Sequence, residues 1–305
     1  MNEIKKWKNH AGVVLDSVKG FDVIGCEVCG FSHAIPLRDE KQHARFYEEE
    51  FYQEKENYIA AHTHDIEWWA IEHNEKYDFF DRQLNENSTK KILDIGSGPG
   101  YFLKVGKDRG WDITGIEPGK PAYQFSTEKL GLNIFNELFS TENYKRFGKF
   151  DVIHMNNVLE HIPDPQQFLK YTYEILEPEG LVCITVPNDY NPLQKIVATH
   201  LKKEPWWVVP EEHVNYFNCE SLSRLMESVG FKIIYTTSSF PLELFLLMGE
   251  DYIGNSQLGR KIHNKRKKFD QTMAETNNKN LKRQIYNKLS ELGLGREITV
   301  IGKKE

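Results

Sequence analysis

The residues most able to do chemistry sit in Lys91–Gly100, KILDIGSGPG. Gly96, Gly98 and Gly100 alternate with Ser97 and Pro99, and Asp94 stands just before them. Glycine lets a backbone turn sharply and lie against a ligand where a Cβ would collide. A dinucleotide loop, G-x-G-x-x-G, needs its third glycine one position later; position 101 is Tyr. The loop therefore suits a nucleoside better than a pyrophosphate seated on a helix N-terminus. Further on, the stretch Trp111–Glu117, WDITGIE, ends in an acid followed by Pro118. A carboxylate there can accept hydrogen bonds from both hydroxyls of a ribose. The plainer reading of such an acid is a helix cap.

Two further clusters have chemical potential. His213 is flanked by Glu211, Glu212 and Tyr216. Imidazole titrates near neutral pH, so His213 is a candidate base for removing a hydroxyl proton; it also fits as a loop anchor. Near the N-terminus, Cys26 and Cys29 form C-x-x-C-Gly, half of a zinc knuckle, with His33 close enough to be a third ligand and His43 a further one. Cys183 falls in an expected core strand and Cys219 in a distant loop, so the cysteines alone cannot complete a four-ligand site. A metal-free β-turn accounts for the same residues.

The elements that must position these groups follow from periodicity. Ile92, Leu93 and Ile95 form a branched apolar run that ends in glycines, which reads as a buried parallel strand entering a tight turn with a helix from Tyr101. Strands are expected at Trp111–Ile116, Leu132–Phe135, Phe150–Met155, Leu181–Val186 and Phe231–Thr237, and a last one at Glu297–Gly302. Helices are expected at Tyr101–Arg109, Lys120–Leu130, Pro165–Leu176 and Ser221–Val229, three of them closed by Gly110, Gly131 and Gly230. Such alternation predicts an α/β fold: a doubly wound, mainly parallel sheet covered on both faces. Residues 1–87 read as an N-terminal accessory segment and 88–305 as the ligand-binding domain, with insertions at 187–218 and 240–295 placed to cap the ligand. The aromatic stretch Lys41–His73 reads as packing for the accessory segment, or as a cleft lining. Trp206 and Trp207 suit a wall for a sugar or lipid, or a staple for the first insertion. The basic run Arg260–Lys268 suits a solvated helix face, or a site that attracts phosphates.

The chain has 305 residues, 39% hydrophobic and 28% charged, ordinary proportions for a globular protein. A formal charge of −6 argues against a duplex nucleic-acid partner, which selects basic surfaces. No window approaches the ~20 apolar residues of a membrane span, no secretory leader is recognisable, and four cysteines make no disulfide framework. A cytoplasmic location is expected.

Taken in order, DIGSGPG, GIEPG and FDVIHMNNVLEHIPDP resemble the class I S-adenosylmethionine-dependent methyltransferases, strongly over residues 90–180. The resemblance implies a seven-stranded Rossmann-like sheet whose last strand returns antiparallel. It implies S-adenosylmethionine as cofactor, held by Asp94, Gly96, Ser97, Gly98, Gly100, Glu117 and Pro118. Glu137 and Leu138, after Asn136, would read the adenine, and Asn156 and Asn157 would face the methionine. His161, in the LEH pattern, is implied as a catalytic or a loop-fixing residue; His213 falls in an EH-x-x-x-F pattern. Related sugar methyltransferases carry an N-terminal zinc module with a C-x-x-C start, from which this chain departs by lacking a second cysteine pair. The flanking likeness points to a small-molecule acceptor such as a sugar or nucleotide-sugar. The competing readings are an NAD-dependent oxidoreductase, which the glycine spacing opposes, and a non-catalytic S-adenosylmethionine-binding protein.

Overall fold

The computed structural model describes residues 3–37 and 58–305. His43 and most of the aromatic stretch, Phe46, Tyr47, Phe51 and Tyr52, lie outside the described residues.

Among the described residues the main sheet has seven strands: β5 (Lys91–Ile95), β6 (Asp112–Ile116), β7 (Ile134–Phe135), β8 (Phe150–Asn156), β9 (Leu176–Pro187), β11 (Phe231–Ser238) and β12 (Glu297–Lys304), in the order β11-β12-β9-β8-β5-β6-β7. β12 runs antiparallel to both neighbours, whereas β5 to β9 pair in parallel. The doubly wound arrangement with an antiparallel last strand is the expected one. Strand alternation separates two cores. Leu93, Ile95, Ile153 and Met155 face one layer; Ile92, Val152, Leu181 and Cys183 face the other.

The second layer holds α2 (Ile66–Gln83) and α3 (Tyr101–Asp108). Tyr77 and Phe80 of α2 are fully buried against Phe102 and Trp111. This helix, which lies before residue 88 in sequence, thus forms part of the main core. The short α1 (Tyr58–His64) precedes it. Lys120–Leu130 is not one regular helix. It begins as α4 (Lys120–Gln124) and widens into a π turn, Phe125–Lys129, where the Ser126 and Thr127 hydroxyls both donate to the Tyr123 carbonyl. Helices α5 (Pro165–Ile175) and α7 (Cys219–Val229) contribute Phe168, Leu169, Leu222 and Met226 to the first layer.

A second sheet has the order β1-β2-β3-β4-β10: β1 (Ile4–Trp7), β2 (His10–Val18), β3 (Phe21–Cys26), β4 (Ser32–Ile35) and β10 (Asn215–Tyr216). Its fifth strand comes from the 187–218 insertion, after helix α6 (Pro192–Leu201), so the N-terminal segment is sewn to the core. Trp207 is buried with Val23, Ala34 and Tyr216, and acts as a staple of that insertion. The 240–295 insertion forms α8 (Glu243–Leu247), α9 (Ser256–Glu275) and α10 (Lys279–Glu291). Within the basic run on α9, Lys267 and His263 meet Asp65, and Arg266 lies over Trp68. Much of that run is therefore committed to helix packing. No helix among the described residues is long and apolar enough to cross a membrane.

Candidate active site

β5 and β6 end side by side, and the glycine loop turns across their carboxyl ends. The amides of Gly96 and Ser97 both donate to the Ile116 carbonyl, at 2.8 and 3.0 Å, tying the loop to β6. Gly96 has φ +71°, and a Cβ there would lie 2.6 Å from Val158 Cγ2. Gly100 (φ +84°) caps α3 where a Cβ would press on Leu132. Glu117 is almost fully buried; its Oε2 accepts from the Gly98 amide and its Oε1 from the Gly119 amide, both at 2.7 Å. The carboxylate thus braces the loop.

These groups border a cavity of about 470 Å³, within the range of cofactor sites. It is lined by Gly96, Gly98, Glu117 and Pro118 from the glycine loop and the turn after β6, by Leu138 and Phe139 after β7, and by Asn156, Asn157, Glu160 and His161 from the end of β8 onward. His213 from the first insertion, His62 and Trp69 from α1 and α2, Leu242 and Arg266 from the second insertion, Arg296 just before β12 and Glu297 at its start also line it. Asn157 holds a left-handed φ of +54°, with its amide on the Thr185 carbonyl (2.9 Å) and its Nδ2 on Glu297 Oε1 (3.2 Å).

The two histidines meet edge to face, with ring centres 4.9 Å apart. His161 Nδ1 donates to the Glu212 carbonyl at 2.8 Å, and its Nε2 lies 3.7 Å from Glu160 Oε1. The Val214 amide donates to the Glu160 carbonyl at 2.9 Å, which seats His213 beside that pair. An acid and two imidazoles therefore converge on one stretch of the cavity wall.

Four expected binding residues stand off the cavity lining. Asp94 shares the Ile92 face of β5, toward α2 and α3. There it pairs in register with His154 of β8, whose Nδ1 lies 2.7 Å from its Oδ1. Lys76 Nζ is 3.4 Å from His154 Nε2 and is paired with Glu72. An ammonium only donates, so Nε2 accepts and Nδ1 carries the proton offered to Asp94. Burial pushes the Asp94 carboxyl well above its ordinary value and the His154 imidazole well below its own. Asp94 thereby ties β5 to β8 on the face away from the cavity lining. Ser97 is buried beside Gly115. Gly100 serves the helix start. Glu137 is turned to Asn143 and Arg146, and Phe139 takes its expected place on the wall. Sequence reasoning missed His154 and Lys76; the available signal was a polar residue in the otherwise apolar run Val152–Met155.

Cys26, Cys29 and His33 come together as expected, and His10 of β2 joins them. Burial, with His10 alongside, lowers the His33 pKa to about 4.

A parallel sheet reversed by its last strand, with a glycine loop and a buried carboxylate at the switch between β5 and β8, defines a nucleoside-binding transferase fold. A family profile described as "Methyltransferase domain" matches residues 68–236, more than half of the chain. The chain belongs to the class I S-adenosylmethionine-dependent methyltransferases. Among curated relatives, the ubiquinone biosynthesis O-methyltransferase of Psychrobacter arcticus is 30% identical over 123 residues, 36% of this chain and 45% of that protein. That of Aeromonas salmonicida is 28% identical over 156 residues, 47% and 63% of the respective chains. The chain spans about half the length of the curated relatives it matches. Among solved structures, the plantazolicin methyltransferase BpumL in complex with SAH shares the fold, with a TM-score of 0.51 and 15% identity over 86% of this chain and 94% of that one. The cavity, its glycine edge and its buried carboxylate fit the family's cofactor.

Proposed function

We propose that the protein transfers a methyl group from S-adenosylmethionine to a hydroxyl of a small polar acceptor, a sugar or nucleotide-sugar. One observation carries this reading. A single cavity is lined both by a nucleoside seat, Gly96, Gly98 and Glu117, and by the clustered polar groups Glu160, His161 and His213.

The cofactor supplies a methyl already activated by the charge on its sulfur. The chain's own part is alignment and exclusion of water. Glu117 accepts from the ribose hydroxyls, Leu138 and Phe139 flank the base, and Asn156 and Asn157 face the methionine portion. His213 takes the acceptor hydroxyl's proton as the new bond forms. His161 fixes the wall through the Glu212 carbonyl. Both insertions contribute to the lining, His213 coming from the first and Leu242 and Arg266 from the second. The names of the curated relatives support oxygen as the methylated atom. The likeness of the flanking segments to sugar methyltransferases supports a sugar or nucleotide-sugar as the acceptor.

The test is formation of S-adenosylhomocysteine with panels of sugars, nucleotide-sugars and phenols. Turnover of a nucleotide-sugar is expected, with His213→Ala lowering kcat by about 10²–10⁴-fold while affinity for S-adenosylhomocysteine stays the same. Turnover of phenols alone, or an unchanged kcat in the variant, contradicts the reading.

A further inference from the structure

We propose that His10, Cys26, Cys29 and His33 form a tetrahedral zinc site that holds the N-terminal sheet together and, through β4 and β10, sets the wall carrying His213. The four candidate ligand atoms all lie within 4.8 Å of one another. His10 Nδ1 is 3.3 Å from Cys29 Sγ and 3.9 Å from Cys26 Sγ. Zinc–sulfur and zinc–nitrogen bonds of ~2.3 and ~2.05 Å place tetrahedral ligands about 3.3–3.8 Å apart. The observed spacings are those of a site that closes on an ion with small side-chain movements.

The buried imidazole supplies a second, independent observation. His33 is 1% exposed, and its Nε2 has no hydrogen-bond partner among the described residues. A buried polar atom left in that state is destabilising, and an ion would satisfy it. Its Nδ1 lies 3.4 Å from the Ala34 carbonyl, a weak contact of the kind that fixes a ligating tautomer and leaves Nε2 for the metal. The backbone is shaped for the same purpose. Gly30, at φ +75°, donates to the Cys26 carbonyl, and Cys26 donates to the Phe31 carbonyl, folding the two thiols toward one point. The ligands come from β2, the end of β3, the following turn and β4, so one ion would clamp three strands. The buried apolar cluster beside the site is small, Ile24, Cys26 and Ile35 with Trp7 and Val14 packed on them. The donor set is thus two thiolates and two imidazoles from neighbouring strands.

The link to the cavity is direct. His33 pairs with Asn215 in register, and the Ala34 amide donates to the Val214 carbonyl at 2.9 Å. Asn215 Nδ2 in turn bonds the Leu159 and Ile162 carbonyls on either side of His161. His213 lies one residue before this strap.

The test uses the full chain, purified without a metal-binding tag, dialysed against zinc and then against buffer. Metal analysis is expected to return about one zinc per chain, and cobalt substitution to give the visible bands of a tetrahedral thiolate site. His10→Ala and the double variant Cys26→Ser/Cys29→Ser should each lose at least nine-tenths of that zinc. Their affinity for S-adenosylhomocysteine, a check that the main sheet is folded, should stay within twofold. One retained zinc in His10→Ala, or no zinc in the unaltered chain after loading, overturns the proposal. Neither result bears on the nucleoside seat.

Discussion

At the scale of single residues, the loop depends on positions where chemistry and backbone shape coincide. Gly96 adopts a left-handed φ and abuts Val158, so Gly96→Ala meets both strain and overlap. We expect a loss of about 1–3 kcal/mol in urea unfolding, and at least tenfold weaker binding of S-adenosylhomocysteine. Asp94 and His154 make a pH prediction with a definite sign. His154 has a native pKa well below 6.5, so below pH 6.5 the unfolded chain takes up a proton there that the native state refuses. Alone, this lowers stability as pH falls. Asp94, with its native pKa raised well above 3.8, keeps a proton that the unfolded chain releases, which has the opposite slope. Where the two windows overlap they offset. Asp94→Asn leaves only the histidine effect, so the variant should lose stability relative to the unaltered chain as pH falls from about 6.5 to 5. Urea unfolding at the two ends of that range measures it, and a constant difference contradicts the pairing. Asp94 was legible as important from its place before the glycines. Its orientation was not, because alternation along β5 gains meaning only once the neighbouring strand supplies His154 in register.

Among elements, the packing of α2 on α3 decides how the cavity is backed. Gly106 on α3 faces the Tyr77 hydroxyl of α2 so closely that a Cβ would overlap it. Gly106→Ala should therefore force the helices apart and cost about 1–3 kcal/mol, despite alanine's better helix propensity. A thermal midpoint equal to or above that of the unaltered chain would contradict this packing. The alternating strands and helices of 91–237 were readable because each carries its own period and stop signal: Asn218 caps α7 and Gly230 ends it. The role of α2 was hidden, since its aromatic residues fit an accessory segment equally well until Tyr77 and Phe80 are seen against Trp111. The π turn after α4 was hidden as well. Hydroxyl-to-carbonyl bonds within one turn leave no mark on hydrophobic periodicity.

At the scale of the whole molecule, two sheets meet where the first insertion leaves the main one. β10 completes the N-terminal sheet, and His213, two residues before it, lines the cavity. Long-range pairing of this kind, between His33 and Asn215, has no local signature, which is also why His10 was not legible as a partner of the C-x-x-C turn. The glycine loop and Glu117 were legible because their spacing is set by one strand–turn–helix unit and its neighbour. The most direct measurement is calorimetry of the full chain with S-adenosylhomocysteine and NAD in parallel, repeated on Glu117→Ala. The account predicts binding of S-adenosylhomocysteine, none of NAD, and an affinity reduced about 10–100-fold in the variant, as expected for lost hydrogen bonds to a charged group. Preference for NAD, or an unaltered affinity without the Glu117 carboxylate, would contradict it.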